Sequence, residues 1–148
     1  MQVLTAYYAI VELGRSKKGE SVLIHSIAGG VGLLAVDIAK KIGMEVIGTL
    51  SSDAKKKFVC EQFDIPEDMI IVRENPKHFE ESVREALKKR NRTGLDLVLD
   101  SLSGDYFQPG LDLLGVGGKY IFFGSGTFMP EGNLGCGDFL SFFFFQLT

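Results

Sequence analysis

Residues Ile27 to Gly32 read I-A-G-G-V-G and follow directly on the short apolar run Ser21 to Ser26, SVLIHS. A run that is apolar throughout and ends in a glycine turn has the pattern of a strand buried in a parallel sheet. After the turn the period changes. Val31, Ala35, Ile38, Ala39 and Ile42 recur at helical spacing, and Gly43 stands where a helix C-terminus favours a left-handed residue. A strand, a glycine turn and a helix in that order aim free backbone N–H groups and the positive end of the helix dipole at one point, which suits a phosphate. Set against G-x-G-x-x-G, Gly29 and Gly32 keep the second and third glycines and Ile27 replaces the first. Gly29 would let the backbone approach a pyrophosphate, and Gly32 would let the helix pack close. An ordinary glycine turn that opens a helix is the plainer reading of the same residues.

The next strand reads EVIGT, Glu45 to Thr49, and its end separates one dinucleotide from another. An acid there accepts hydrogen bonds from the ribose hydroxyls of NAD and repels the 2′-phosphate of NADP. This chain has T-L-S-S-D-A-K-K-K instead. Ser51 and Ser52 can donate to a phosphate and Lys55 can reach it as a cation, which favours NADP(H). Asp53 opposes that charge from one turn away, and Lys56 and Lys57 read as a solvated helix face. Arg73, after the third strand, can swing toward the same phosphate or stay in solvent. The fourth strand ends in D-S-L-S-G and the fifth in F-G-S-G, both at the carboxyl edge where open α/β sheets bind ligands. Leu102, Phe123, Gly124 and Ser125 are therefore candidate neighbours of the nicotinamide. Asp100 reads either as a cap for the helix after it or as a cofactor contact.

The elements that must position these residues follow from the same alternation. Leu4 to Leu13 predicts a helix. Ser52 or Asp53 caps a helix running to about Gln62, and Met69 to Val72 predicts a third strand. Phe79, Val83, Ala86 and Leu87 mark an amphipathic helix ended by the polar stretch Lys88 to Gly94, and Leu95 to Asp100 is the fourth strand. A helix punctuated by Gly117 and Gly118 leads into a fifth strand, Lys119 to Gly124. FLSFFFFQLT, from Phe139, predicts a very apolar final strand. The fold class expected is α/β: a Rossmann doubly wound parallel sheet of about six strands with helices on both faces. All 148 residues form one NADP(H)-binding domain in this reading. Both ends look unfinished. Four consecutive phenylalanines at a sheet edge would invite aggregation, so a parent chain continuing on both sides is expected.

Composition narrows the classes. With 45% hydrophobic and 24% charged residues the chain is neither disordered nor membrane-spanning in character, and a net charge of -3 argues against nucleic acid as a partner. Cys60 and Cys136 are far apart and lie in no C-x-x-C, so no metal site or disulfide framework is expected. The two histidines, His25 and His78, have no nucleophile or metal partner in the sequence. His25 reads as a satisfied core group. No G-x-S-x-G or Walker motif occurs, so the chain reads as a cofactor platform in which no catalytic residue is assigned. The opening residues lack the basic start and cleavage site of a signal peptide, and a cytoplasmic location is expected.

Nearly the whole chain resembles the medium-chain dehydrogenase/reductase superfamily, through TAYYAI, KKGESVLIHSIAGGVG, GMEVIGTLSS, GLDLVLDSLSG and GGKYIFFGSG in that order and spacing. Within it, the chain is most similar to the branch of quinone oxidoreductases, vesicle amine transport-like proteins and the enoylreductase domains of animal fatty acid and polyketide synthases. These reduce activated carbon–carbon double bonds with NADPH and use no catalytic zinc. The resemblance implies a separate barrel-like catalytic domain before this one and a substrate, small-molecule or acyl-thioester, held between the two. It implies that Gly29, Gly30, Val31 and Gly32 hold the pyrophosphate, that Ser52, Lys55 and Arg73 hold the 2′-phosphate, and that Thr5 lies near the nicotinamide. The FFFFQ strand matches an edge through which family members dimerise. Ser125 stands where the synthase enoylreductases carry a lysine proton donor, and their accompanying aspartate would fall beyond Thr148. V-R-E-N-P-K-H-F nonetheless resembles their S-R-D-x-x-F motif. A non-enzymatic reductase-like scaffold is the competing reading. A pocket for another nucleotide, such as a methyl donor, lacks the acid that its ribose commonly needs.

Overall fold

Ser21–Ile24 form a central strand, β1, with all four residues buried. The computed structural model describes residues 2–102, 105–125 and 140–146, with the backbone alone at 2, 123–125 and 140–146. β1 pairs in parallel with β2 (Glu45–Leu50) on one side and β4 (Leu95–Asp100) on the other. β3 (Ile70–Val72) extends the sheet beyond β2, and β5 (Leu114–Ser125) extends it beyond β4, both in parallel. A sixth strand, β6 (Leu140–Gln146), runs antiparallel to β5, giving the order β3-β2-β1-β4-β5-β6. Five strands are thus parallel and the last closes one edge in the opposite sense.

The helices are α1 (Gln2–Tyr7), α2 (Gly30–Ile42), α3 (Asp53–Phe63), α4 (Pro76–Lys89) and α5 (Phe107–Asp112). The chain leaves β1 toward β3, then returns across to β4. With right-handed crossovers that reversal assigns α2 and α3 to one face and α4 and α5 to the other. α1 packs on α2 and α4 on α5. Each face buries what its strands and helices present: Leu23, Ile24, Ile47 and Leu97 from the sheet and Phe79 from α4 are all essentially inaccessible. Burying one such side chain is worth about 1.5–3 kcal/mol.

α2 ends at Gly43 with φ +94, the left-handed terminus its sequence predicts. α4 starts on a signal not read from the sequence: the Asn75 carboxamide oxygen accepts the His78 N–H at 2.8 Å, and Pro76 follows as the first helical residue. The predicted helix over Leu4 to Leu13 divides in two. Its second half, Tyr8–Leu13, winds as a wider π-helix that buries Ala9 and Ile10 and closes with the Gly14 N–H on the Ala9 carbonyl at 2.8 Å. The third strand begins one residue later than predicted, because Glu67–Met69 form a 3-10 turn. Gly117 and Gly118, expected to end a helix, belong to β5. Leu95 pairs with Leu114 and Leu97 with Lys119, so the pairing slips through a bulge at which Gly117 has φ +78 and Val116 is 93% exposed. Among the described residues no helix is long and apolar enough to cross a membrane.

The closest approach of a glycine to backbone atoms among the described residues is at Gly32. A Cβ there would lie 2.4 Å from the Ser26 carbonyl oxygen and 2.7 Å from that of Ile27, backbone atoms that cannot rotate away. Gly32→Ala is therefore expected to destabilise by roughly 2–3 kcal/mol through forced overpacking. Gly115→Ala, where a Cβ would meet its neighbours at an ordinary 3.5 Å, is the control. Urea midpoints for the two variants test this, and equal midpoints would contradict the close-approach reading.

Candidate functional site

The turn from β1 into α2 is built from Ser26 to Gly29. Ser26 takes φ +51, so a serine performs the left-handed turn in place of a glycine, at a cost of about 1–2 kcal/mol. Ile27, in the missing first-glycine position, is wholly buried, and its N–H donates to the Thr49 carbonyl at 2.9 Å. It fits because Gly48 lies opposite on β2, where a Cβ would come within 2.3 Å of Ile27 Cδ1. The space that a glycine would leave in the loop is supplied by a glycine on the neighbouring strand. Gly29 then caps α2 in an extended conformation with no side chain over the helix N-terminus. Gly29 and Gly30 are exposed, Val31 is half-buried and Gly32 is buried.

The end of β2 lies beside this turn. Ser51 is exposed. Ser52 is the N-cap of α3 in extended conformation, and its hydroxyl makes no capping bond. Lys55, in the first turn, is exposed and has no partner among the described residues. Arg73 follows β3; its N–H donates to the Leu50 carbonyl at 2.9 Å and its guanidinium Nη1 donates to Thr49 Oγ1 at 3.1 Å. Arg73 is therefore not fully solvated: it is half-buried and docked on the Thr49 hydroxyl near the end of β2. The structure brings Ser51, Ser52, Lys55 and Arg73 to one end of the sheet next to Gly29–Gly32.

The remaining candidates sit elsewhere along that edge. Leu102 is half-buried and donates its N–H to Asp100 Oδ1 at 2.7 Å. Phe123, Gly124 and Ser125 end β5, paired with Phe142, Ser141 and Leu140; their side chains lie outside the described residues. Thr5 is 7% exposed on α1, the helix packed against α2. Cys136 lies outside the described residues. Cys60 is half-buried, and burial pushes its thiol above the usual range.

Beneath the edge runs a buried polar chain that sequence reasoning resolved only in part. His25 Nδ1 lies 2.9 Å from Thr49 Oγ1, but Nε2 is buried with no hydrogen-bond partner, so His25 is only half satisfied. Its ring packs on Phe79 at 5.1 Å and on Tyr106 at 6.3 Å. Burial, with Arg73 adding to it, holds the His25 imidazole down at about 3. Asp100 does not cap the next helix, which starts at Phe107. It accepts the Leu102 N–H on one oxygen and the Tyr120 hydroxyl on the other. Burial raises the Asp100 carboxyl to about 6, against the Tyr120 hydrogen bond, the Leu102 N–H and the Arg73 charge, which all favour the carboxylate. Burial and Asp100 push the Tyr120 phenol well above its ordinary range. Thr49 and Tyr120 were missed, although a threonine inside the apolar run EVIGTL is a visible anomaly.

Residues 30–144 match the family described as zinc-binding dehydrogenase. The chain is 36% identical over 135 residues to Highly-reducing polyketide synthase 1 of Aureobasidium melanogenum, which covers 91% of this chain and 6% of that protein. It superposes with a TM-score of 0.75 on the nucleotide-binding subdomain of the enoylreductase domain of PpsC from Mycobacterium tuberculosis, at 36% identity over 90% of this chain and 71% of that one. A mycobacterial quinone oxidoreductase gives a TM-score of 0.68 at 32% identity, covering 79% of this chain and 34% of the other. Among the described residues no group of three histidine, cysteine, aspartate or glutamate side chains is placed to hold a metal ion, so the zinc of the family's description finds no ligand set there.

The two shifted groups make opposite predictions for acid stability. Folded His25 titrates at about 3 and folded Asp100 at about 6, against about 6.5 and 3.9 in the unfolded chain. Between roughly pH 4 and 6 unfolding gives His25 a proton and takes one from Asp100, so their contributions cancel. Asp100→Asn leaves His25 alone, and stability should then fall as pH drops from about 6.5. His25→Asn leaves Asp100 alone, and stability should rise as pH drops from about 6. Each limiting slope is about 1.4 kcal/mol per pH unit. Urea midpoints across pH 4–7 read both slopes, and slopes of the same sign in the two variants would refute the assignment.

Proposed function

The chain belongs to the zinc-binding dehydrogenase family, as a nucleotide-binding domain of medium-chain dehydrogenase/reductase type, and from that premise we propose that it is the NADP(H)-binding domain of a longer reductase acting on an activated carbon–carbon double bond. It is an oxidoreductase nucleotide-binding domain, and the specific claims are the phosphorylated cofactor and the unsaturated substrate. The observation that carries the first is the end of β2, where no acid stands from Thr49 to Ser52 and where a serine hydroxyl without a capping bond, a lysine without a partner among the described residues and a docked guanidinium share one end of the sheet.

In this reading the N–H groups at Gly30 and Val31 and the dipole of α2 receive the pyrophosphate; Gly29, whose own N–H donates to the Ser26 carbonyl at 2.9 Å, lets the backbone approach it, and the buried Gly32 lets α2 come close enough to present those donors. Ser51 and Ser52 donate to the 2′-phosphate while Lys55 and Arg73 balance its charge. When bound, the nicotinamide supplies the hydride. Leu102, Thr5 and the Phe123 to Ser125 strand end border the space it would occupy. The polyketide synthase and enoylreductase relatives favour an enoyl thioester as substrate, with an enone or quinone as the smaller alternative. The outer edge of β6 is the seam on which two copies would pair.

Titration by calorimetry or by quenching of reduced-nicotinamide fluorescence tests the cofactor. NADPH should bind tighter than NADH. Lys55→Ala should weaken NADPH about fivefold, as an exposed ion pair worth about 1 kcal/mol would, and leave NADH within twofold. Equal losses for both cofactors, or no preference in the unaltered chain, would overturn the 2′-phosphate assignment.

A further inference from the structure

Arg73 is tied to the sheet at two points, through its backbone to Leu50 and through its guanidinium to the buried hydroxyl of Thr49. Thr49 is itself fully buried and shared with His25 Nδ1. The guanidinium can only donate, so the Thr49 oxygen accepts from Arg73. That leaves the single threonine proton. Buried with no other acceptor among its hydrogen bonds, it is best placed on His25 Nδ1, which requires an imidazole that is neutral and protonated on Nε2. Burial keeps the ring neutral across the ordinary pH range. The ring cannot turn to another partner because Phe79 and Tyr106 pack against it. The result is a directed chain, Arg73 to Thr49 to His25, in which every proton points inward from the sheet edge.

We propose that Thr49, with its hydroxyl oriented by His25, is a positioning residue that holds the Arg73 guanidinium at the end of β2 and so sets the preference for a phosphorylated ribose. This rests on the assignment of Arg73 to the 2′-phosphate made above. The hydrogen bond to Thr49 uses Nη1 and leaves the other guanidinium donors available. Without the Thr49 hydroxyl the guanidinium loses the tether that keeps it at the β2 end. Thr49 touches neither the phosphate nor the reacting atoms, so its effect falls on selectivity alone.

The test compares dissociation constants for NADPH and NADH in Thr49→Val, Thr49→Ser and Arg73→Ala chains, each with a thermal unfolding curve. Valine keeps the shape and β-branching of threonine at a buried strand position and removes the hydroxyl; serine keeps the hydroxyl. The expected result is that Thr49→Val lowers the NADPH-over-NADH preference about tenfold, on the scale of a hydrogen bond to a charged group. Thr49→Ser should restore most of that preference, and NADH affinity should stay within twofold throughout. A merely structural role would move both cofactors together and track the unfolding temperature. If Arg73→Ala lowers the preference while folded Thr49→Val does not, the positioning role is overturned and the phosphate assignment stands. If Arg73→Ala leaves the preference unchanged, the phosphate assignment fails and the proposal fails with it. Should Thr49→Val not fold, Thr49→Ser decides: a preference as low as that of Arg73→Ala overturns the proposal, because serine keeps the bond.

Discussion

The close approach of α2 to the β1 turn is the constraint on which the site depends. With only 2.4 Å available between a Cβ at Gly32 and the Ser26 carbonyl, any side chain would lift the helix off the turn. Moving that N-terminus by even an ångström would take the free N–H groups of Gly30 and Val31 away from the point at which the sheet order reverses. The reversal matters because it opens a crevice: β1 is flanked by β2 and β4, and the loops leaving these strands diverge to opposite faces. Gly48 is the second half of the same constraint. It admits Ile27 to the core, and so the turn is anchored by an apolar side chain instead of resting on glycine flexibility.

Tightness of this kind bears on the polar groups below the edge. His25, Thr49, Arg73 and Asp100 stand near the carboxyl ends of four parallel strands and Tyr120 reaches Asp100 from the middle of β5; all but Arg73 are essentially inaccessible to water. An unpaired buried polar group costs about 1–3 kcal/mol, and Nε2 of His25 carries such a cost. The other members escape it by pairing, each with a neighbour one strand away. A polar chain satisfied in this way has few alternative arrangements, which makes the edge rigid where the loops above it are short of side chains.

Most of the architecture was legible because each strand is a bounded apolar run and each long helix an amphipathic one. EVIGT, LDLVLD and the Gly43 stop fell within a residue of their observed places. The departures share a cause: they are places where tertiary contacts override local pattern. The π-helical Tyr8–Leu13 segment is fixed by how Ala9 and Ile10 bury against the core, which no period in the sequence specifies. The β5 bulge depends on the pairing partner, not on Gly117 itself. At the site, glycines and Lys55 could be named from spacing alone. The docking of Arg73 on Thr49 could not, because the two residues lie 24 positions apart and meet only once β3 pairs with β2.

Burial also ranks the charges at the end of β2. Lys55 is exposed, so water and salt screen whatever it faces, and such a contact contributes about 1 kcal/mol or less. Asp53, equally exposed and two residues earlier, opposes it on the same scale. Against that opposition Lys55 contributes only a modest share of any discrimination between anions. Arg73 is different in kind. It is half-buried, its backbone is tied to Leu50 and its guanidinium is held by a hydrogen bond to Thr49, so part of the entropy of ordering its side chain has been lost before any ligand arrives. A planar donor held that way in a partly desolvated position is worth about 1.5–3 kcal/mol to an anion that meets it. In the proposed reading the larger share of selectivity at this edge therefore falls to the group that the sequence leaves ambiguous, and Lys55 adds a smaller, screened share.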